Sequence, residues 1–309
     1  MTNIIAIANQ KGGVGKTTTT VNLAASLAAA ERRVLIVDMD PQGNASSGLG
    51  IDRQTFAEKN LYHVLIDDLS VQEAIYQTEL KFLKICPSDN NLSGAEVELV
   101  GAMAREMRLK NAFESICKEG EELFDYVFID CPPSLGLLTI NALTASNYYM
   151  IPLQCEYYAM EGLGQFLHTT ELIRKGLNKH LAQLGIVLTM FDSRNNLSRQ
   201  VYSEVKSHFK DQVFETVIPR NVKLSECPSH GKPAILYDIS STGSQSYLAL
   251  AQEVIARLEP KPEEVTQILE TPVEKVEEAP ILVAPEEIPV EIAQTQPQQT
   301  DQGVEHGVN

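Results

Sequence analysis

Apolar residues fall in short runs without polar alternation: Ile4-Ile5-Ala6-Ile7-Ala8, Val34-Leu35-Ile36-Val37, Tyr126-Val127-Phe128-Ile129, Tyr149-Met150-Ile151 and Gly185-Ile186-Val187-Leu188. Such runs, separated by helical patterns, are what strands buried on both faces look like. The pattern predicts an α/β fold, a mainly parallel sheet covered by helices on both faces. Phe82 to Cys86 and Val213 to Val217 are weaker strand candidates. After Thr17, the residues Val21, Ala24, Ala25 and Ala28 recur at three- and four-residue spacing, which predicts a helix with one face against the sheet. In such a sheet ligands bind beyond the carboxyl ends of the strands.

Polar clusters stand at those ends. The first run leads into Lys11-Gly12-Gly13-Val14-Gly15-Lys16-Thr17, with Thr18 opening the helix. Glycines let backbone N–H groups turn onto phosphate oxygens, Lys16 supplies charge to the outer phosphates, and the Thr17 hydroxyl suits Mg²⁺. The following helix aims its N-terminus at the same anion. A nucleoside triphosphate is the expected ligand. Gln10 stands where the general pattern has glycine, and Lys11 adds a second cation at the mouth of the loop. Two cations so close repel unless an anion lies between them.

Val34 to Val37 runs into Asp38-Met39-Asp40-Pro41-Gln42-Gly43-Asn44. Asp40 is a candidate to position the attacking water in line with the terminal phosphate, and Asp38 to orient the loop or a lysine. Tyr126 to Ile129 runs into Asp130-Cys131-Pro132-Pro133-Ser134. A carboxylate at a strand tip suits Mg²⁺, so Asp130 joins Thr17 as a candidate ligand, directly or through water. The proline pair fixes a loop that can report the γ-phosphate. Cys131 reads as a small packed side chain.

The stretch with Lys11 resembles the deviant P-loop of the ParA and MinD group of ATPases. Asn141 to Ala145 and Gln154 to Gly162 resemble the partitioning branch, ParA/Soj, and the resemblance covers residues 1 to about 258. It implies a single P-loop NTPase domain, in which Lys11 crosses a dimer interface to the partner subunit's phosphates and ATP is sandwiched between two subunits. Lys11, Lys16 and Asp40 are then the expected catalytic residues, and Pro219 and Asn221 contact adenine. By the same resemblance Arg194, Arg220 and Lys223 contact DNA, and pairing of subunits doubles them into one basic stripe. A dimer neutralising four phosphates with two arginines per subunit loses affinity with a log–log salt slope of about −4. A ParB-type protein is the implied stimulator of hydrolysis, and the implied location is the cytoplasm, on the nucleoid. Tyr157, Tyr158 and Met160 are either an interface patch or plain core.

Composition changes near residue 260. Residues 260–309 hold seven of the fifteen prolines, no aromatic residue, and eleven acidic groups against two lysines. That composition predicts one domain over residues 1–259 followed by a disordered acidic tail. A domain of that length buries roughly three quarters of its unfolded surface. Five scattered cysteines without a C-x-x-C pair fit a reducing compartment, and no run approaches the ~18 apolar residues of a membrane span.

Three other readings share the loop. A MinD-like membrane-associated regulator needs a basic amphipathic C-terminal helix, which the acidic, proline-broken end does not offer. A reductase related to the nitrogenase iron protein needs paired cluster-binding cysteines, whose spacing is not seen here. A nucleotide-gated adaptor binds ATP without useful hydrolysis, and phosphate release on adding a partner separates it from an ATPase. The overall pI of about 4.8 opposes DNA binding, much of that acidity being in the tail. Deleting residues 260–309 is therefore expected to tighten DNA binding in a filter-retention titration; unchanged affinity contradicts a screening role.

Overall fold

A computed structural model describes residues 2–117, 123–156 and 159–259. Tyr157, Tyr158 and the tail 260–309 lie outside the described residues. The chain runs β1 (Asn3–Ile7), α1 (Lys16–Ala29), β2 (Val34–Asp38), α2 (Asn44–Gly48), α3 (Leu61–Ile66), β3 (Tyr76–Gln77) and β4 (Leu83–Cys86). It continues through α4 (Leu92–Glu98), α5 (Arg108–Phe113), β5 (Tyr126–Asp130), α6 (Leu137–Ala145), β6 (Tyr148–Gln154), α7 (Ala159–Gly176) and β7 (Ala182–Thr189). It ends with α8 (Asn196–Phe209), α9 (Val222–Glu226), α10 (Ala234–Tyr237) and α11 (Thr242–Leu258).

The described strands form one sheet in the order β3-β4-β2-β5-β1-β6-β7. Every pairing is parallel except that of β3, a two-residue edge strand antiparallel to β4. The sheet therefore carries its central strand tips on one edge. Register aligns Ile7 with Asp130 and Asp38 with Asp130, so the ends of β1, β2 and β5 are level. Successive strand residues feed opposite cores: Ile4, Ala6, Val127 and Ile129 face one, and Ile5, Ile7, Phe128 and Met150 the other. That is why the strands read as continuous apolar runs.

Two expectations change. First, the helix after the glycines packs a face on the sheet as expected but is buried on its other sides as well: Thr19 to Ala28 are all buried, because α11 and α10 cover the side away from the sheet. Its alanines, threonines and serines let α11 approach closely, and the Tyr247 hydroxyl reaches Thr19 Oγ1 at 3.1 Å. Second, Val213 to Val217 is no strand; only Val213 makes an isolated bridge, to Ile186. The backbone groups a ladder needs are taken by side chains of α11. The Glu253 carboxylate accepts from the backbone N–H groups of Glu215 (2.9 Å) and Thr216 (3.1 Å). Arg257 donates to the carbonyls of Leu184 (2.9 Å) and Val213 (3.3 Å), and its guanidinium lies 3.9 Å from the Phe214 ring centroid. No helix among the described residues is long and apolar enough to cross a membrane.

Candidate functional site

The loop between β1 and α1 lies beyond the centre of the sheet, flanked by the ends of β5 and β6. Gly13 (φ 72°) and Gly15 (φ 88°) turn it. Neighbouring strands hold it in place. Thr189, the last residue of β7, donates its hydroxyl to the Val14 carbonyl at 2.8 Å. Asn9 accepts from Lys11 N at 3.0 Å and donates to the Pro152 carbonyl at 2.8 Å. Lys16 is buried, its ammonium turned back to the Lys11 carbonyl at 3.1 Å. Burial pulls that ammonium below the usual lysine range, while the nearby Asp130, Cys131 and Asp40 push the other way. A desolvated cation on a phosphate loop lacks a strong anionic partner until phosphate arrives.

Asp130 ends β5 and is fully buried. Its Oδ1 accepts from the Thr20 hydroxyl at 3.0 Å, and the Thr17 hydroxyl lies close enough to favour the charged carboxylate. Its Oδ2 is buried without a hydrogen-bond partner. Burial, and then the charge of Asp38, push this carboxyl up from the usual range. An orphaned carboxylate oxygen beside a threonine hydroxyl is what a hard divalent cation needs, so Thr17 and Asp130 fit Mg²⁺.

Asp38 ends β2, next to Asp130. It orients the loop and not a lysine: its Oδ2 accepts from Ser46 N (2.9 Å) and Ser46 Oγ (2.7 Å), its Oδ1 from Asp40 N (3.3 Å). Asp40 is buried and accepts from Gln42 N at 3.0 Å. The structure thus brings Lys16, Asp40, Thr17 and Asp130 to one edge. Cys131 is buried and packed, its thiol pushed up by burial, as expected of a small core residue.

Pro219 and Asn221 line a cavity of 190 Å³ with Gly15, Thr18, Met190 and Tyr247. A second cavity, of 490 Å³, adjoins it through Thr18 and Leu224 and is bordered by Thr17, Asn44 and Lys232. Together they give room for a base and sugar beside the phosphate loop. The Asn221 amide is engaged: its Oδ1 caps α9 through Leu224 N at 3.3 Å and its Nδ2 donates to Thr242 Oγ1 at 2.7 Å. Lys11 stands on the outer lip, 41% exposed, with its ammonium on the Glu156 carboxylate just past β6. Sequence reading passed over Thr20, Ser46, Ser88, Glu156 and Thr189. The signal was available for Thr20 in the run Thr17-Thr18-Thr19-Thr20, and for Ser88 in its place just past a strand end.

A family model described as an AAA domain matches residues 2–183. The chain is 58% identical to the chromosome partitioning protein ParA of Myxococcus xanthus over 84% of its length and 89% of that protein. It is 57% identical to the sporulation initiation inhibitor protein Soj of Bacillus subtilis, over 83% of this chain and 99% of that one. The chain belongs to the ParA/Soj family of chromosome-partitioning ATPases. Among solved structures it resembles cobyrinic acid a,c-diamide synthase of Mycobacterium smegmatis with bound ADP and magnesium (37% identity, TM-score 0.71, 82% of this chain and 94% of that one). It also resembles the cell division ATPase MinD of Pyrococcus furiosus (27% identity, TM-score 0.68, 83% and 99%).

ParA/Soj membership directs attention to the cationic loops. Those holding Arg194 and Arg220 run side by side: Phe191 bridges Pro219, and Arg220 N donates to the Phe191 carbonyl at 3.0 Å. Arg194 is 88% exposed and forks onto Asp192 at 3.0 Å through both Nε and Nη2. The Arg194 guanidinium holds the Asp192 carboxyl down at about 2, and Arg220 adds to this. Lys223 is less open than the sequence suggests, for it pairs with Glu226 at 3.0 Å and lies 5.3 Å from the Tyr237 ring centroid. Each of the two paired cations carries its own carboxylate, with which any incoming anion would compete. Exposed pairs of this kind are worth ~0–1 kcal/mol. Asp192→Asn is expected to tighten DNA binding up to about fivefold by removing that competitor; weaker binding in fluorescence anisotropy contradicts the competition.

Proposed function

We propose that this chain binds ATP with Mg²⁺, closes with a second copy across Lys11, grips DNA without regard to sequence, and releases it after hydrolysis. Lys16 and the glycine loop hold the phosphates, Thr17 and Asp130 hold Mg²⁺, and Asp40 positions the water. Pro219 and Asn221 border the base. Arg194, Arg220 and Lys223 meet DNA phosphates, which reads charge and not sequence. A ParB-type protein at a centromere-like site stimulates turnover, and the cargo-bearing state sits on the nucleoid in the cytoplasm. The metal supplies charge neutralisation at the transferring phosphoryl group.

The observation that carries this reading is the convergence of Lys16, Asp40 and Asp130 at level strand tips. A second contact supports coupling of that site to DNA. The Asp40 loop leads through α2 to Gly50, and Gly50 meets Gly231 backbone to backbone. A Cβ on Gly231 would lie 2.7 Å from the Gly50 Cα, and one on Gly50 would lie 2.9 Å from the Gly231 carbonyl oxygen. Both residues have positive φ. Gly231 closes the segment begun by α9, which carries Lys223. The Asp40 loop and the segment that carries Lys223 therefore abut through backbone alone.

DNA retention by purified variants with ATP and with ADP tests the reading. Lys16→Ala and Gly12→Val are expected to lose the ATP-dependent binding, the valine because a branched side chain crowds a loop whose backbone must approach phosphate closely. Arg194→Glu is expected to lose it by charge reversal, and Asp40→Ala to keep it while hydrolysis stops. Equal binding of the wild type in both nucleotides contradicts the switch.

A further inference from the structure

The backbone of Asp40 is held by partners from its own loop and from a distant strand end. Its carbonyl oxygen accepts twice, from Gly43 N at 2.9 Å and from the Ser88 hydroxyl at 2.6 Å, and its N–H is given to Asp38. Both peptide groups that flank the Asp40 Cα are therefore pinned. The carboxylate itself is oriented by the Gln42 N–H, which donates to Oδ1 at 3.0 Å.

Ser88 is central to that arrangement although it lies forty-eight positions further along the chain. It is fully buried, two residues past the end of β4. Besides its hydroxyl bond to Asp40, its N–H donates to Ser46 Oγ at 3.2 Å, and that hydroxyl is itself a donor to Asp38. The Ser88 carbonyl forms a third contact. Gly43 (φ 63°) packs on it so closely that a Cβ there would lie 2.8 Å from the oxygen. Hydroxyl, N–H and carbonyl of one residue thus touch three points of the Asp40–Ser46 loop.

We propose that Ser88 is a positioning residue for ATP hydrolysis: the tip of β4 holds the Asp40 loop so that the carboxylate meets the attacking water. The inference rests on the catalytic reading of Asp40. Displacing a water-positioning group by about 1 Å costs on the order of a hundredfold in rate, while the ground-state contacts to nucleotide at Lys16, Thr17 and Asp130 stay intact. Loss of Ser88 should therefore resemble loss of Asp40 and not loss of Lys16.

The test measures steady-state ATP hydrolysis with Mg²⁺ and double-stranded DNA, together with ATP-dependent DNA retention. The proteins are full-length wild type, Ser88→Ala, Gly43→Ala and Asp40→Ala. Gly43→Ala removes no polar group but forces the loop off the Ser88 carbonyl, so it serves if Ser88→Ala does not fold. Expected in both is a drop in kcat of about tenfold to a hundredfold, with KM for ATP and DNA retention unchanged. Wild-type kcat in either folded variant overturns the inference, as does a parallel loss of kcat, ATP affinity and DNA retention in both. Undiminished hydrolysis in Asp40→Ala overturns the reading of Asp40 beneath it; abolished hydrolysis there with wild-type kcat in Ser88→Ala overturns the role of Ser88 alone.

Discussion

Two carboxylates stand on adjacent strands in matched register, both buried, and this constraint shapes the rest of the site. Asp38 and Asp130 are placed by the β2–β5 pairing, and neither can move away from the other without breaking the ladder. Buried like charges are unfavourable unless donors and cations surround them. Asp38 is answered by Ser46 and the Asp40 N–H. Asp130 is answered on one oxygen only. The remaining deficit of positive charge is what Lys16 and a divalent cation supply, so phosphate, metal and protein complete one another. An apolar substitute for Asp130 would relieve the repulsion and remove the carboxylate oxygen left for a metal.

The same constraint reaches beyond the phosphate site. The donors that satisfy Asp38 belong to the Asp40 loop and α2, so the loop is tied to the buried charges. Its far end abuts Gly231, and the segment from Asn221 to Gly231 carries Lys223 and lies beside the Arg194 loop. A local change in charge at the phosphates is thereby connected to an exposed cationic edge through backbone contacts, which transmit displacement better than flexible side chains do.

Much of this was legible in the sequence. Five unalternated apolar runs gave the parallel sheet, and the acids and glycines just past them gave the phosphate loop, Asp40 and Asp130. That logic works because a parallel sheet sends its carboxyl ends to one edge. It failed where partners come from distant chain segments. Val213 to Val217 has strand composition, yet Glu253 and Arg257 of α11 take its backbone groups. The burial of α1 on all sides depends on α11, more than two hundred residues later. Thr189 and Glu156 are ordinary residues whose contacts with the loop follow only from the strand order β1-β6-β7. The pairing of Arg194 with Asp192 was within reach, two positions apart, but local sequence does not say that a guanidinium folds back instead of facing solvent.

Lys11 is the residue on which the proposed assembly turns. It sits exposed on the lip of the phosphate loop, held by Glu156 of its own chain, whereas Lys16 is buried and turned back onto the loop. Multi-angle light scattering of the full chain with Mg²⁺ and a nonhydrolysable ATP analogue tests the assembly most directly. Expected is a dimer with the analogue, a monomer with ADP, and a monomer in both for Lys11→Ala; a wild-type chain that stays monomeric with the analogue contradicts it.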